Sequence, residues 1–193
     1  MSNASIVSQK NELRKEIKKR ILSLDDEYCH WASAKIIDKL MELPEYQHAQ
    51  MVFTFIGIRG EVNTLPLIEQ ALAAGKRVCV PLCIRDGIME AREIRNIHND
   101  LSPGMMGILE PKEKTKLIHP TEIDFAVIPC VTGDHQGNRL GHGNGYYDRY
   151  LAKAQFASVM ICFEKLISDH IPMDDFDQKI SRMITERGGE KDE

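Results

Sequence analysis

Between residues 137 and 149 the sequence reads Gly-Asn-Arg-Leu-Gly-His-Gly-Asn-Gly-Tyr-Tyr-Asp-Arg, with four glycines in nine positions. Glycine lacks a Cβ, so such a segment can take φ > 0 and let its backbone approach a ligand closely. Successive N–H groups can then converge on an anion. A helix starting directly after the glycines would add unpaired N–H groups and the positive end of its dipole. Arg139 and Arg149 would add charge. The chemistry this predicts is binding of a phosphate or a carboxylate. Asp148, near the start of that helix, is a candidate Mg²⁺ ligand, because Mg²⁺ typically takes one or two carboxylates together with phosphate oxygens and water. Read alone, the same residue would be an acid favoured by the helix dipole.

Two other phosphate loops are excluded by spacing. The pattern G-x-x-x-x-G-K-[ST] is absent, which argues against a P-loop NTPase. A dinucleotide fingerprint needs G-x-G-x-x-G almost directly after a strand. Here the spacing is G-x-G-x-G, and Gly141 lies about a dozen residues beyond Pro129. The seven histidines show no metal-ligand spacing; His142 is either a phosphate donor or simply exposed.

The elements that must hold this loop follow from periodicity. Leu13, Ile17, Ile21 and Leu24 recur at helical spacing and predict a basic amphipathic helix over residues 8–22. Ser23 followed by Asp25, Asp26 and Glu27 predicts the start of a second helix, running to about Leu43 and stopped by Pro44. Strands are expected at Met51–Ile56, Arg77–Cys83, Ile123–Pro129 and Ser158–Phe163, with a last one near Met183–Thr185. Helices are expected from Thr64 to Ala74, closed by Gly75, and from Tyr146 to about Ala154. Asp86-Gly87 signals a hairpin, residues 98–120 read as loop-rich, and the stretch after Pro129 reads as a functional loop of about 15 residues. Strands alternating with helices predict one α/β domain, a three-layer α/β/α sandwich with a mostly parallel sheet. It is expected to span residues 8–187, with residues 1–7 and 188–193 as disordered tails.

Composition sets the class. The chain has 193 residues, 42% hydrophobic and 28% charged, with a net charge of −4. That balance fits a globular domain and lacks the basic excess of a nucleic-acid binder. No apolar run approaches the roughly 20 residues of a membrane span, and Met1-Ser-Asn-Ala4 carries no apolar secretion signal. Five cysteines without a CxxC pair read as buried thiols of a reducing compartment. The expected setting is the cytoplasm, with small-molecule substrates, no nucleic-acid or membrane partner, and a monomer or weak homo-oligomer.

The segment from Gly137 to Leu151 strongly resembles the signature of the 5-formyltetrahydrofolate cyclo-ligase (methenyltetrahydrofolate synthetase) family. Further pieces agree in order: Lys10-x-x-Leu13-Arg14, Gly60-Glu61-Val62-Asn63-Thr64, Gly107-Ile108-Leu109-Glu110-Pro111 and Ile184-Thr185-Glu186. The resemblance covers roughly residues 10–186. It implies a fold like that of the sugar-phosphate isomerase and CoA-transferase group. It also implies an activity: ATP- and Mg²⁺-dependent closure of 5-formyltetrahydrofolate to 5,10-methenyltetrahydrofolate through an N5-iminium phosphate.

What it implies for residues can be placed. Lys10 and Arg14, one helical turn apart, resemble a basic pair reaching ATP phosphates. Arg139, Gly141, Gly143, Gly145 and Tyr146 resemble the phosphate cradle, with His142, Asn144 and Tyr147 in the same ATP-binding run. Asp148 resembles the Mg²⁺ ligand. Glu61 resembles the folate-side carboxylate, with Ile56, Met106 and Tyr146 lining the pterin pocket. Arg139, Tyr146 and Glu61 are the implied catalytic groups. Three positions depart from the pattern: Met106 where an aromatic is common, Asn144 where Lys or Gly is common, and Ser181 where many members carry a second Asp. Asp177 is the substitute candidate for that second metal ligand. A folate- or nucleotide-binding module without turnover, and a sugar-phosphate isomerase on the same fold, are the competing readings.

Overall fold

The computed structural model describes residues 3–85, 87–104 and 107–188. Met106, Asp86 and the outermost parts of both expected tails therefore lie outside the described residues. Three helices open the chain: α1 (Asn3–Leu22), α2 (Asp26–Met41) and α3 (Pro44–His48). The first starts at Asn3, ahead of residue 8. Asp25, not Ser23, caps α2, its carboxylate accepting from the Tyr28 N–H at 2.6 Å. A carboxylate there satisfies an otherwise orphan donor and faces the positive end of the dipole.

The sheet then begins with β1 (Met51–Phe53), which leads through a turn to α4 (Leu65–Ala73), β2 (Arg77–Cys83) and β3 (Met89–Ile94). β1 is shorter than the run Met51–Ile56 suggests. Gly75, at φ +78°, ends α4, the left-handed conformation that glycine adopts without penalty. β2 and β3 form the antiparallel hairpin that the Asp-Gly signal predicts. The loop-rich 98–120 region contains α5 (Ile97–Asp100), β4 (Leu101–Pro103), β5 (Leu109–Pro111) and β6 (Leu117–Ile118). After it come β7 (Phe125–Ile128), the short pair β8 (Thr132–Gly133) and β9 (Arg139–Leu140), α6 (Tyr146–Leu151), β10 (Ala157–Ile161) and β11 (Met183–Ile184).

Seven strands form the main sheet in the order β11-β10-β7-β1-β2-β3-β6. The pairs from β11 to β2 are parallel, and β3 and β6 extend that edge antiparallel. β7, Phe-Ala-Val-Ile, is buried at every position, as a strand covered on both faces should be. Neighbouring residues of β2 enter different clusters. Val78 and Val80 pack with Ile68 and Ala71 of α4, while Cys79 joins the larger core that includes Tyr150 of α6. Phe53 stacks on Tyr150 at 5.5 Å and 21°, so β1 fixes the helix that follows the glycine loop. Truncating a wholly buried side chain such as Phe53 to Ala would cost about 3–5 kcal/mol. Two cysteines depart from the buried-thiol expectation: Cys83 is exposed and Cys29 half-buried, and all five are free thiols.

Candidate active site

In open α/β sheets ligands bind beyond the carboxyl ends of the parallel strands. The loop after β1 carries Glu61 there, and the loop after β7 carries the glycines. The second is not structureless. Residues 132–140 form the β8–β9 hairpin, held by Asp134, a wholly buried carboxylate. Asp134 accepts from the N–H groups of Gln136, Asn138 and Ile171 and from the Asn138 amide, at 2.8–3.1 Å. Asp134-x-x-Gly137-Asn138 is the side-chain-to-backbone turn that would have marked it.

Beyond this hairpin the chain opens. Among the described residues, none of the backbone N–H groups from Gly141 to Gly145 has a hydrogen-bond acceptor. Gly143 sits at φ +106°, where a Cβ would be 3.4 Å from the Arg14 guanidinium carbon. Arg14 Nε donates to the Gly141 carbonyl at 2.8 Å, bringing α1 onto a loop 127 positions away. Burial pulls the Arg14 pKa down, and Asp177 partly opposes that. Lys10, by contrast, is buried and donates to Asp174 at 2.7 Å and to Asp177. Burial works against its charge, but the two carboxylates outweigh it and leave its pKa raised. Lys10 is thus held in an ion pair with Asp174 and Asp177. Ser181 is exposed.

Arg139 is 4% exposed. It donates to Asp148 Oδ1 at 2.8 Å and to the Pro129 carbonyl at 3.4 Å, lies 5.6 Å above the Tyr147 ring, and keeps a buried Nε–H without acceptor. Asp148 Oδ1 also accepts from the Gln178 N–H at 3.2 Å. Burial pushes the Tyr147 hydroxyl well above its ordinary pKa, so it stays protonated. The helix following the glycines has only six residues, so its dipole is a small contribution beside the loop N–H groups.

Glu61 is nearly buried and locked in its own turn, accepting from the Ile58 N–H at 3.2 Å. Its other oxygen lies 2.9 Å from His142 Nε2, joining the two loops. Tyr146 donates its hydroxyl to the Ile84 carbonyl at 3.0 Å, tying the hairpin tip to α6. The Asn144 carbonyl accepts from Arg149. Ile56 is half-buried against the α4–β2 cluster. The structure therefore gathers Arg14, Glu61, Arg139, His142 and Asp148 around the glycine loop. It places Lys10 in an ion pair and Ile56 in a core cluster. Asp134, Asp174 and Gln178, which sequence reading missed, hold that arrangement together.

A sequence profile of the 5-formyltetrahydrofolate cyclo-ligase family matches residues 6–186. A probable 5-formyltetrahydrofolate cyclo-ligase of Schizosaccharomyces pombe is 32% identical, covering 92% of this chain and 95% of that one. The solution structure of Aquifex aeolicus 5,10-methenyltetrahydrofolate synthetase superposes with a TM-score of 0.82 at 29% identity, covering 93% of this chain and 91% of that one. A Mycoplasma pneumoniae 5,10-methenyltetrahydrofolate synthetase gives 0.74 at 25% identity, covering 92% and 98%.

Proposed function

The chain belongs to the 5-formyltetrahydrofolate cyclo-ligase family and is a ligase, and we propose on that premise that it couples ATP hydrolysis to closure of 5-formyltetrahydrofolate into 5,10-methenyltetrahydrofolate. The observation that carries this reading is the row of unpaired loop N–H groups from Gly141 to Gly145, with Arg14 brought onto it by the Gly141 carbonyl. Open donors and a guanidinium are what a polyphosphate needs.

A formamide oxygen is a poor leaving group. In the proposed sequence it attacks the γ-phosphorus of ATP and ADP departs, leaving an N5-iminium phosphate. The exocyclic nitrogen of the folate then attacks the activated carbon, loses its proton, and inorganic phosphate leaves as the ring closes. No protein nucleophile is required. The chain supplies alignment and charge, as in phosphoryl transfer generally. Arg14 and the loop N–H groups hold the phosphates. Glu61, fixed by Ile58 and His142, faces the folate side. Arg139 is held rigid by Asp148, the Pro129 carbonyl and Tyr147 beside the loop.

A divalent cation fits this donor set in one way. Among the described residues no three His, Cys, Asp or Glu side chains cluster as a metal cage. Asp148 has one oxygen anchored by Arg139 and Gln178, and its second has no hydrogen-bond partner among the described residues. Asp148 would hold Mg²⁺ with phosphate oxygens and water completing the shell, the usual Mg²⁺ pattern. When bound, the ion would neutralise phosphate charge.

The test is near-ultraviolet absorbance of purified protein with 5-formyltetrahydrofolate, Mg²⁺ and ATP against a control without ATP. The conjugated product should appear only with ATP. No rise, or a rise independent of ATP, would overturn the reading.

A further inference from the structure

Glu61 and His142 join the loop after β1 to the loop after β7, and the two sides of that contact are built differently. Glu61 sits in a tight turn. Its own N–H donates to the Ile58 carbonyl at 2.9 Å, and its Oε2 accepts from the Ile58 N–H at 3.2 Å. A Cβ on Gly57 would lie 2.0 Å from the Val62 carbonyl oxygen, and one on Gly60 would lie 2.8 Å from Ile21 of α1. The turn is therefore closed on itself and seated against that helix. The Glu61 side chain is only 9% exposed. His142 is the opposite case. Its side chain is 58% exposed, and glycines flank it on both sides. Its ring makes one hydrogen bond among the described residues, from Nε2 to Glu61 Oε1 at 2.9 Å. An ionised carboxylate only accepts, so Nε2 is the donor.

That N–H serves one strong acceptor at a time, and the loop brings a second one beside it. The backbone N–H of His142 is among the open donors from Gly141 to Gly145, so an anion gathered there arrives next to the His142 ring. A polyphosphate oxygen accepts a charge-assisted bond as a carboxylate does. We propose that His142 is a latch on Glu61. In the free protein the ring covers the carboxylate. A triphosphate on the glycine loop draws the ring away and opens Glu61 Oε1 to the reduced folate. Glu61 keeps its place meanwhile, because its bond from Ile58 does not depend on His142. The nucleotide then promotes folate binding, and by linkage folate promotes nucleotide binding to the same degree. This adds a coupling between the two substrates to the proposed cyclo-ligase reading and rests on it.

The experiment has two arms on the full chain. The first measures the Kd of 5-formyltetrahydrofolate by calorimetry in the wild type and in His142→Ala, without nucleotide and with a non-hydrolysable ATP analogue and Mg²⁺. Without nucleotide, His142→Ala should bind folate about threefold more tightly, the worth of one exposed pair. The analogue should tighten folate binding in the wild type, and about threefold less in His142→Ala. Folate affinity that stays equal or falls in His142→Ala, or a coupling that survives there undiminished, overturns the proposal. The second arm needs no folate. Inorganic triphosphate is titrated into protein carrying ¹³C at the Glu carboxyls and ¹⁵N in the His rings. The Glu61 carboxyl and His142 Nε2 resonances should move together, and in His142→Ala the Glu61 signal should stay still. A His142 ring that shifts while Glu61 does not, or signals that ignore triphosphate, likewise overturns the latch. If the wild type forms no product from 5-formyltetrahydrofolate and ATP, the cyclo-ligase reading fails by itself and the triphosphate titration still decides the latch.

Discussion

At the scale of single residues the Arg139–Asp148 pair sets the sharpest expectation. Asp148 is both the candidate metal ligand and the partner of a guanidinium that is 4% exposed. Removing one member of a buried pair leaves an uncompensated charge and costs about 3–5 kcal/mol. Asp148→Ala should therefore lose both turnover and stability. The two losses separate in the double variant Arg139→Met/Asp148→Leu, which should regain much of the urea stability but none of the turnover. Near-normal turnover by a folded Asp148→Ala protein would sink the metal role. Arg14 is a simpler case, since its guanidinium already touches the glycine loop. Losing one charge-assisted hydrogen bond to a phosphate should raise the KM for ATP about tenfold, with the KM for folate moving far less. Steady-state kinetics that show the reverse order would place Arg14 on the folate side.

At the scale of elements, Lys10 does something different from Arg14 although the two share one face of α1. Through Asp174 and Asp177 it pins that helix to the segment before β11. The Lys10 hydrogen bond holds the Asp174 carboxyl below its ordinary 3.8. Stability from the pair is therefore fully present above 3.8 and lost as pH falls through the lowered folded value. On the alkaline side, the raised Lys10 pKa keeps the contribution intact up to 10.5 and loses it above. Lys10→Met should unfold more easily in urea at pH 7 by about 2–4 kcal/mol, and the gap to wild type should close as pH falls below 3.8. A gap that persists unchanged at pH 2 would mean packing, not charge, is what Lys10 supplies. The elements themselves were unequally legible. The apolar runs matched β2 to the residue and β7 within two: β7 is buried at every position and so must be apolar throughout, and β2 is buried at Val78, Cys79 and Val80 between polar or exposed ends. The β8–β9 hairpin left no periodic trace, since two-residue strands have no period. The Lys10–Asp174 pair joins positions 164 apart, and nothing local marks such a contact. The glycine loop was readable because its chemistry is contiguous in sequence, whereas the Arg139–Asp148, Arg14–Gly141 and His142–Glu61 contacts emerge only from the folded loops.

For the whole molecule, the site is a junction rather than a pocket within one element. Arg14 comes from the N-terminal helix, Glu61 follows β1, the glycine loop follows β7, and Gln178 reaches Asp148 from the segment before β11. A ligand held there bears on contacts that span most of the chain, so its binding energy should appear as global stability and as slowed opening of α1. At 100 times its Kd, a non-hydrolysable ATP analogue stabilises the native state by about 2.7 kcal/mol. For a chain of this size that is a rise in Tm of roughly 5–10 °C. Hydrogen exchange should slow in two places at once: the amides of α1 around Arg14, and those of Gly141 to Gly145 that now have no acceptor. Arg14→Ala should keep part of the Tm rise but remove the protection of α1. A Tm rise with exchange in α1 unchanged would show that the nucleotide binds without engaging the N-terminal helix, and the phosphate site would then have to be rebuilt around Arg139 and the loop alone.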